Sequence, residues 1–320
     1  MRRYIAKRLL AMAPMALGVS LIIFTLMRVL PGDIALIILA GEGSEGSSVK
    51  PEEVAALRES LGLDRPLAEQ YATWMWGLVR LDAGKSLWYN RPVFEEIGKR
   101  LPISLELALL SAIVSLAIAI PIGTISAMRQ DAWVDYVFRI ITIGGISMPT
   151  FWAGTLIMLA LVIFFGWMPP LGFTGPFQDP LKNLQQLIWP ALALGYYFSA
   201  VVSRMMRSCM LEVLRQDYIR TAWSKGLRER IVIIRHALKN ALLPVVTIVG
   251  VQVGHLIGGT VVMEQIFVLP GMGNALLDAI SRRDYPVVQT IIVLMALMFL
   301  VVNLVVDLLY GWLDPRIRYE

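Results

Sequence analysis

Charged residues and cysteines are scarce in this 320-residue chain. Lys, Arg, Asp and Glu together make up 17% of the residues, whereas hydrophobic residues make up 57%. Soluble globular domains carry about 25% charged residues, so this composition argues against a soluble enzyme or binding module. The single cysteine, Cys209, excludes an internal disulfide.

Histidines are equally rare, with only His236 and His255 in the whole chain. Together with the lack of a cysteine cluster, this predicts no metal site. The net charge of +5 would suggest a nucleic-acid partner in a soluble protein. Here the basic residues are concentrated in a few loops, so no nucleic-acid partner is expected.

Long apolar runs, in contrast, are abundant. A helix needs about 20 apolar residues to cross a hydrocarbon core of about 30 Å, and its backbone groups must be satisfied within the segment. Six stretches qualify: 9–30, 103–127, 138–165, 187–206, 243–263 and 288–312. The sequence therefore predicts an all-α polytopic membrane protein with about six transmembrane helices. Gly144, Gly145 and Pro149 predict a kink in the third.

The basic residues predict the orientation of these helices. Four precede the first span without any acid, and nine lie in segment 204–242 against three acids. Because basic loops stay in the cytoplasm, residues 1–30 are predicted to be a cytoplasmic N-terminus with the first span. Residues 102–312 form the transmembrane core with a cytoplasmic loop at 207–242, and residues 313–320 form a cytoplasmic C-terminus. Residues 31–101 form an external helical segment, with one helix starting at Pro51 and another over 66–81.

The loop 207–242 carries two apolar stripes at helical spacing. The first comprises Leu211, Leu214, Tyr218 and Ala222, and the second comprises Ile231, Ile234, Leu238 and Ala241. They predict two short amphipathic helices joined at Gly226. Such a pair can lie on anionic lipid or contact a partner protein through the small residues Ala222 and Gly226.

The run from Asp217 to Leu227 resembles the cytoplasmic signature loop of permeases in ATP-binding-cassette (ABC) importers. Arg220 and Thr221 replace the Glu-Ala of the general pattern, while Ala222 and Gly226 match it. These two replacements resemble the loop of the dipeptide, oligopeptide and nickel permease subfamily, and specifically of its first, B-type chain. The same subfamily pattern continues further on at His236, Asn240, Ala241 and Pro244. Further matching runs include Leu30-Pro31-Gly32-Asp33, Ser147-Met148-Pro149 and Pro270-Gly271-Met272-Gly273.

This resemblance implies a MetI-like permease bundle in the bacterial inner membrane that imports peptides by alternating access. Nickel, glutathione and other small solutes remain alternative cargoes. The implied partners are a second homologous permease, two cytoplasmic ATP-binding subunits, a periplasmic or lipid-anchored substrate-binding protein, and membrane lipid. ATP and Mg²⁺ would be bound by the ATP-binding subunits, so this chain would be no enzyme and hold no cofactor. The residues implied to contact the ATPase are Arg220, Thr221, Ala222, Lys225, Gly226 and Leu227.

Polar and small residues within the spans are candidates for a substrate pathway or gate, because ionisable groups in lipid are costly. The candidates are Pro149, His255, Gly258, Gly259 and Glu264. A lone histidine such as His255 is more often a packing residue. Gly84-Lys85-Ser86 imitates the end of a phosphate-binding loop, but Val79 stands where that loop needs glycine.

Two other classes of protein fit less well. An ion-coupled secondary transporter would favour inverted repeats and several buried carboxylates near the midplane, and neither is clear. An intramembrane enzyme would need paired catalytic groups at bilayer depth, and the two histidines lie far from any such partner in sequence.

Overall fold

A computed structural model of the chain describes residues 2–40, 49–170 and 172–313, and within them the structure is helical. The first four helices are α1 (Arg2–Val29), α2 (Ile34–Ala40), α3 (Pro51–Ser60) and α4 (Leu67–Val79). The middle of the chain forms α5 (Val93–Met128), α6 (Trp133–Ser147), α7 (Thr150–Phe165), α8 (Pro180–Leu214) and α9 (Asp217–Ser224). The last part comprises α10 (Glu229–Ile231), a π-helix (Val232–Leu238), α11 (Lys239–Ile266), α12 (Met272–Ser281) and α13 (Tyr285–Leu313). Of the predicted C-terminal segment 313–320, residues 314–320 lie outside the described residues.

Five of these helices are long and apolar enough to cross a membrane, or six if the bent pair α6–α7 is one span. The prediction of an all-α polytopic protein with about six spans is therefore confirmed. Several helices are longer than their apolar runs. Helix α5 begins at Val93, ten residues before the predicted start, because its first turns carry Glu–Lys and Glu–Arg pairs four residues apart, which stabilise a solvated helix.

The third predicted span is broken rather than kinked. The helix axis bends by 102° between α6 and α7. Met148 and Pro149 lie between the two helices in extended conformations. Proline disfavours helical geometry at the preceding residue, so α6 ends at Ser147. The sequence predicted the position of the bend and underestimated its size.

The contacts of the chain divide it into two compact units. The first comprises residues 103–270 and 298–313 with the first few residues, and the second comprises residues 6–102 and 271–297. In the first unit, α8 packs against α6, α7 and α11. Two apolar clusters line it, one around Leu187, Leu194 and Phe198 and the other around Met206 and Met210.

Two glycines allow close contact between α5 and α8 in the first unit. A Cβ on Gly123 would lie 2.6 Å from the Cβ of Met206 and 2.7 Å from the carbonyl oxygen of Ser203. A Cβ on Gly195 would lie 2.5 Å from Cγ1 of Val114. Helices in lipid associate through such small residues because the hydrophobic effect gives them no net attraction.

In the second unit, α1 packs against α4, one of the two predicted helices of segment 31–101. Ser20 Oγ lies 2.8 Å from the hydroxyl of Tyr71, and the ring of Phe24 contacts those of Tyr71 and Trp74. The predicted helices starting at Pro51 and near Pro66 are both present, whereas the short helices α2 and α12 were not predicted.

The loop 82–92 is joined to the turn before α13 in the same unit. Ser86 Oγ donates to Asp284 Oδ2 at 2.5 Å, and the indole N–H of Trp88 donates to the carbonyl of Arg282 at 2.7 Å. Burial raises the pKa of Asp284, although the hydrogen bond from Ser86 and backbone N–H groups oppose the shift. Ser86, the last residue of the Gly84-Lys85-Ser86 run that imitates a phosphate-binding loop, thus holds two distant parts of the chain together.

We predict that Gly123→Ala and Gly195→Ala each lower the unfolding midpoint of the purified protein in detergent. The added methyl group overpacks the α5–α8 contact, at a cost of about 1–3 kcal/mol. Gly258→Ala is the matched control, because nothing lies within 4 Å of its Cβ position and alanine favours helix. Equal midpoints for all three variants would contradict the close contact.

Candidate functional site

The loop 207–242 contains one separate amphipathic helix, not two. Helix α9 follows α8 after a two-residue break and ends before Gly226, which has φ +73°. The second predicted helix is wrong as a separate element, because α10 and the π-helix continue directly into α11. The buried residues here are Val232, Ile233, Ala237 and Ala241. The π-helix has a wider turn than an α-helix, so Ile231 and Ile234 of the predicted stripe are exposed, whereas Leu238 and Ala241 pack inward as predicted.

Helix α9 buries one narrow side. Ile219 is 0% exposed and Ala222 is 6% exposed, whereas Arg220, Thr221 and Lys225 are exposed. The first predicted stripe placed Tyr218 inside, but the break between α8 and α9 resets the phase, and Ile219 takes that place. Ala222 therefore packs inside its own chain, and its predicted contact with the ATPase would have to be made through its exposed neighbours.

The buried side of α9 belongs to the apolar cluster that joins the loop to the spans. Ile219 and Ala222 share this cluster with Met206 of α8, Val232 of the π-helix and Ala241 of α11. Leu227, predicted as a contact residue, packs partly buried against the same cluster. A displacement of α9 is thus opposed by side chains from three helical elements.

A hydrogen bond ties the exposed side of α9 to the start of α11. Asn240 Nδ2 donates to the hydroxyl of Tyr218 at 2.9 Å and to the carbonyl of His236 at 3.0 Å. Both Tyr218 and Asn240 belong to the motif that carried the family resemblance. The hydrogen bond between them gives a physical reason why the motif contains both a tyrosine and an asparagine.

A buried ion pair fixes the adjoining ends of α6 and α8. Arg207 donates to Asp135 through Nε at 2.9 Å and through Nη2 at 2.6 Å. Asp135 also accepts from the hydroxyl of Ser126 and from the backbone N–H of Asp131. Asp135 is fully buried. Bidentate hydrogen bonds of this kind are the strongest arrangement of an arginine–carboxylate pair. The partners are 72 residues apart in the chain, so hydropathy and periodicity do not reveal the pair.

The predicted pathway residues have different environments. Pro149 lies exposed at the bend between α6 and α7, and His255 is exposed with its ring centroid 6.4 Å from that of Phe299. Gly258 borders open space, whereas Gly259 faces Leu194 and Phe198. Gly254, four residues before Gly258, lies against the ring of Phe299.

Glu264 is the most enclosed of these candidates. It is 0% exposed, and Ser104 Oγ donates to its Oε1 at 2.6 Å. Glu264 thus lies inside the contact between α5 and α11 rather than at a surface. Its predicted part in a gate stays a prediction, and any such part requires these two helices to separate.

No group of three or more metal-ligating side chains occurs in the part of the chain that the structure describes. The residues named above offer hydrogen bonds, packing and surface charge. Packing and a hydrogen bond thus join α9 to α8, the π-helix and α11.

Comparison with known proteins shows which class of protein this is. The family model described as the inner membrane component of binding-protein-dependent transport systems matches residues 119–319, and the model of its N-terminal part matches residues 1–108. A crystal structure of an amino acid ABC transporter with histidines matches 69% of this chain and 94% of its own, with a TM-score of 0.50 and 14% identity. The fold is therefore that of an ABC transporter permease.

Three curated relatives match over their full length and that of this chain. They are the dipeptide transport system permease protein DppB of Alkalihalophilus pseudofirmus, 39% identical, that of Escherichia coli K12, also 39% identical, and a putative peptide transport system permease protein of Brucella abortus, 41% identical. The chain belongs to the family of binding-protein-dependent transport system inner membrane components, in its dipeptide and oligopeptide group. It is a multi-pass inner-membrane transport subunit that works with other components of an ABC importer.

We predict that Asp135→Asn lowers the unfolding midpoint by the equivalent of about 2 kcal/mol or more, because it leaves Arg207 beside a neutral partner. Asp217→Asn is the control, since Asp217 is exposed and its contact with Arg220 is 3.6 Å long. Thermal unfolding of both purified variants in the same detergent measures the difference. A stable Asp135→Asn variant would show that the pair contributes little.

Proposed function

We propose that this chain is the first-type permease of an importer that carries di- or oligopeptides across the inner membrane. The full-length similarity to relatives named as dipeptide and peptide permeases carries this proposal. Nickel, glutathione and other small solutes are the alternative cargoes. The described residues hold no cluster of metal-ligating side chains, which favours peptides over nickel.

The basic residues support an orientation with loop 207–242 and both termini in the cytoplasm. Segment 204–242 contains nine basic residues and only three acidic ones. This excess of basic residues is typical of loops that stay in the cytoplasm. Helix α9 would then lie where two ATP-binding subunits could reach it, and those subunits would bind ATP and Mg²⁺. The remaining proposed partners are a second homologous permease chain and a periplasmic or lipid-anchored substrate-binding protein.

In this proposal, α9 transmits the closure of the ATPase to the spans. Its exposed residues Arg220, Thr221 and Lys225 would contact the ATPase. Its buried residues Ile219 and Ala222 would pass the displacement to α8 and α11 through the shared apolar cluster. Alternation between inward-open and outward-open states requires that nucleotide favour one of them, by about 5 kcal/mol for a nearly complete shift.

The cargo is tested by uptake of a labelled dipeptide into cells that lack other peptide importers and express this permease with its partner subunits. We expect ATP-dependent uptake that an excess of unlabelled dipeptide suppresses and an excess of Ni²⁺ leaves unchanged. The matched control expresses the same partners without this chain. Uptake of ⁶³Ni²⁺ instead of dipeptide would replace the peptide proposal by the nickel alternative.

The docking role of α9 is tested at Gly226. We predict that Gly226→Asp abolishes uptake while the protein still inserts in the membrane, because a charged side chain would face the docked ATPase. Gly226→Asn is the control, since Asn has the same shape, tolerates positive φ as Asp does and carries no charge. It should retain measurable uptake, and full uptake by Gly226→Asp would refute the role of this loop.

A further inference from the structure

The second unit contains a cavity of about 320 Å³, open to the surface, that no part of the proposed transport mechanism uses. The polar side chains that line it include Arg28, Arg65, Gln70, Trp74, Tyr285 and Gln289. Apolar side chains, among them Ile34, Leu63 and Leu87, complete the wall. The wall is thus about half polar, and polar groups at fixed places are what orient a ligand in a small-molecule site.

The charge in this cavity has one sign. Two guanidinium groups line it, and no carboxylate is among the lining residues. Arg65 lies largely in solvent and contacts Glu69. Arg28 makes no ion pair with a carboxylate in the described chain. Its Nε donates to Gln70, and its guanidinium lies 4.9 Å from the ring centroid of Phe24 and 5.2 Å from that of Tyr285.

Three side chains of the cavity also hold buried donors that find no acceptor in the described chain. They are Nη1 of Arg28, Nε1 of Trp74 and Nε2 of Gln289. Gln289 is only 3% exposed. A buried donor left without an acceptor costs about 1–3 kcal/mol, and native proteins seldom keep several of them close together.

We propose that this cavity is a binding site for an oxyanion, a carboxylate or phosphate group, carried by a molecule with an apolar part. All three unpaired groups are donors and one is cationic, so the complementary ligand offers several acceptors and negative charge. A water molecule would accept two hydrogen bonds and leave the charge of Arg28 uncompensated. A metal ion would meet two cations. The apolar part of the wall accommodates the remainder of the ligand.

Two sources of such a group are compatible with the site. Arg28 lies in the last turn of α1, an apolar helix long enough to cross a membrane, so a phospholipid phosphate could reach it. A small organic carboxylate from solution has the same chemistry. The inference does not depend on the cargo proposed above.

The test uses the full chain purified in maltoside micelles, which contain neither phosphate nor carboxylate. Benzoate is titrated against the unfolding midpoint at constant ionic strength, with benzamide as its uncharged counterpart. Dihexanoyl phosphatidylglycerol, below its micellar concentration, is the lipid probe. A ligand that binds only the folded protein raises the midpoint in a saturable manner.

We expect benzoate to raise the midpoint saturably and benzamide to leave it unchanged. Arg28→Gln and Trp74→Phe, which keep most of the side-chain volume and remove the charge or the donor, should weaken binding at least tenfold. The matched control is Arg80→Gln, because Arg80 lies exposed in the same unit, over the ring of Trp76 and away from the cavity. Gln289→Leu removes an unpaired buried donor, so it should weaken benzoate binding without lowering the midpoint of the ligand-free protein.

The lipid probe distinguishes the sources. Stabilisation by phosphatidylglycerol that is lost in Arg28→Gln assigns the site to a lipid headgroup, whereas stabilisation by benzoate alone assigns it to a solute carboxylate. The proposal is overturned if benzamide stabilises as well as benzoate, if no probe gives saturable stabilisation, or if Arg28→Gln and Arg80→Gln respond alike.

Discussion

Close contact between α8 and the helices around it is the constraint on which the first unit depends. Helices in lipid gain no hydrophobic free energy by associating, so they depend on van der Waals packing and hydrogen bonds. Gly123 and Gly195 bring α5 against α8, and Asp135 of α6 holds Arg207 of α8 at the end near loop 207–242. Of these contacts, the one between Gly123 and Met206 borders the cluster into which α9 inserts.

Helix α9 has a buried side and an exposed side within its eight residues. Ile219 and Ala222 are inside the apolar cluster, while Arg220 and Thr221 remain at the surface. The small side chain of Ala222 therefore serves its own chain, because it lets α9 lie close to α8 and to the π-helix. This arrangement allows a partner to act on the exposed side without the partner itself entering the membrane domain.

Much of the fold follows from the sequence because its signal is local. Apolar runs of about 20 residues predicted the spans, and Pro149 predicted the site of the bend. The unpredicted features arise from contacts that are distant in sequence or from unusual helical geometry. Periodicity does not reveal the pairing of Asp135 with Arg207, the polar extension of α5 or the π-helix at Val232–Leu238. The family motif identified Tyr218 and Asn240 as important, and only the structure explains why they occur together.

The length of the helical stretch that begins with α10 and ends with α11 has a mechanical consequence. Residues 229–266 form one helical stretch, which at 1.5 Å per residue is about 55 Å long. When this stretch tilts as one body, a tilt of about 5° moves the end opposite α9 by about 5 Å. A small displacement at the loop would then correspond to a displacement of several ångströms at the other end of the helix.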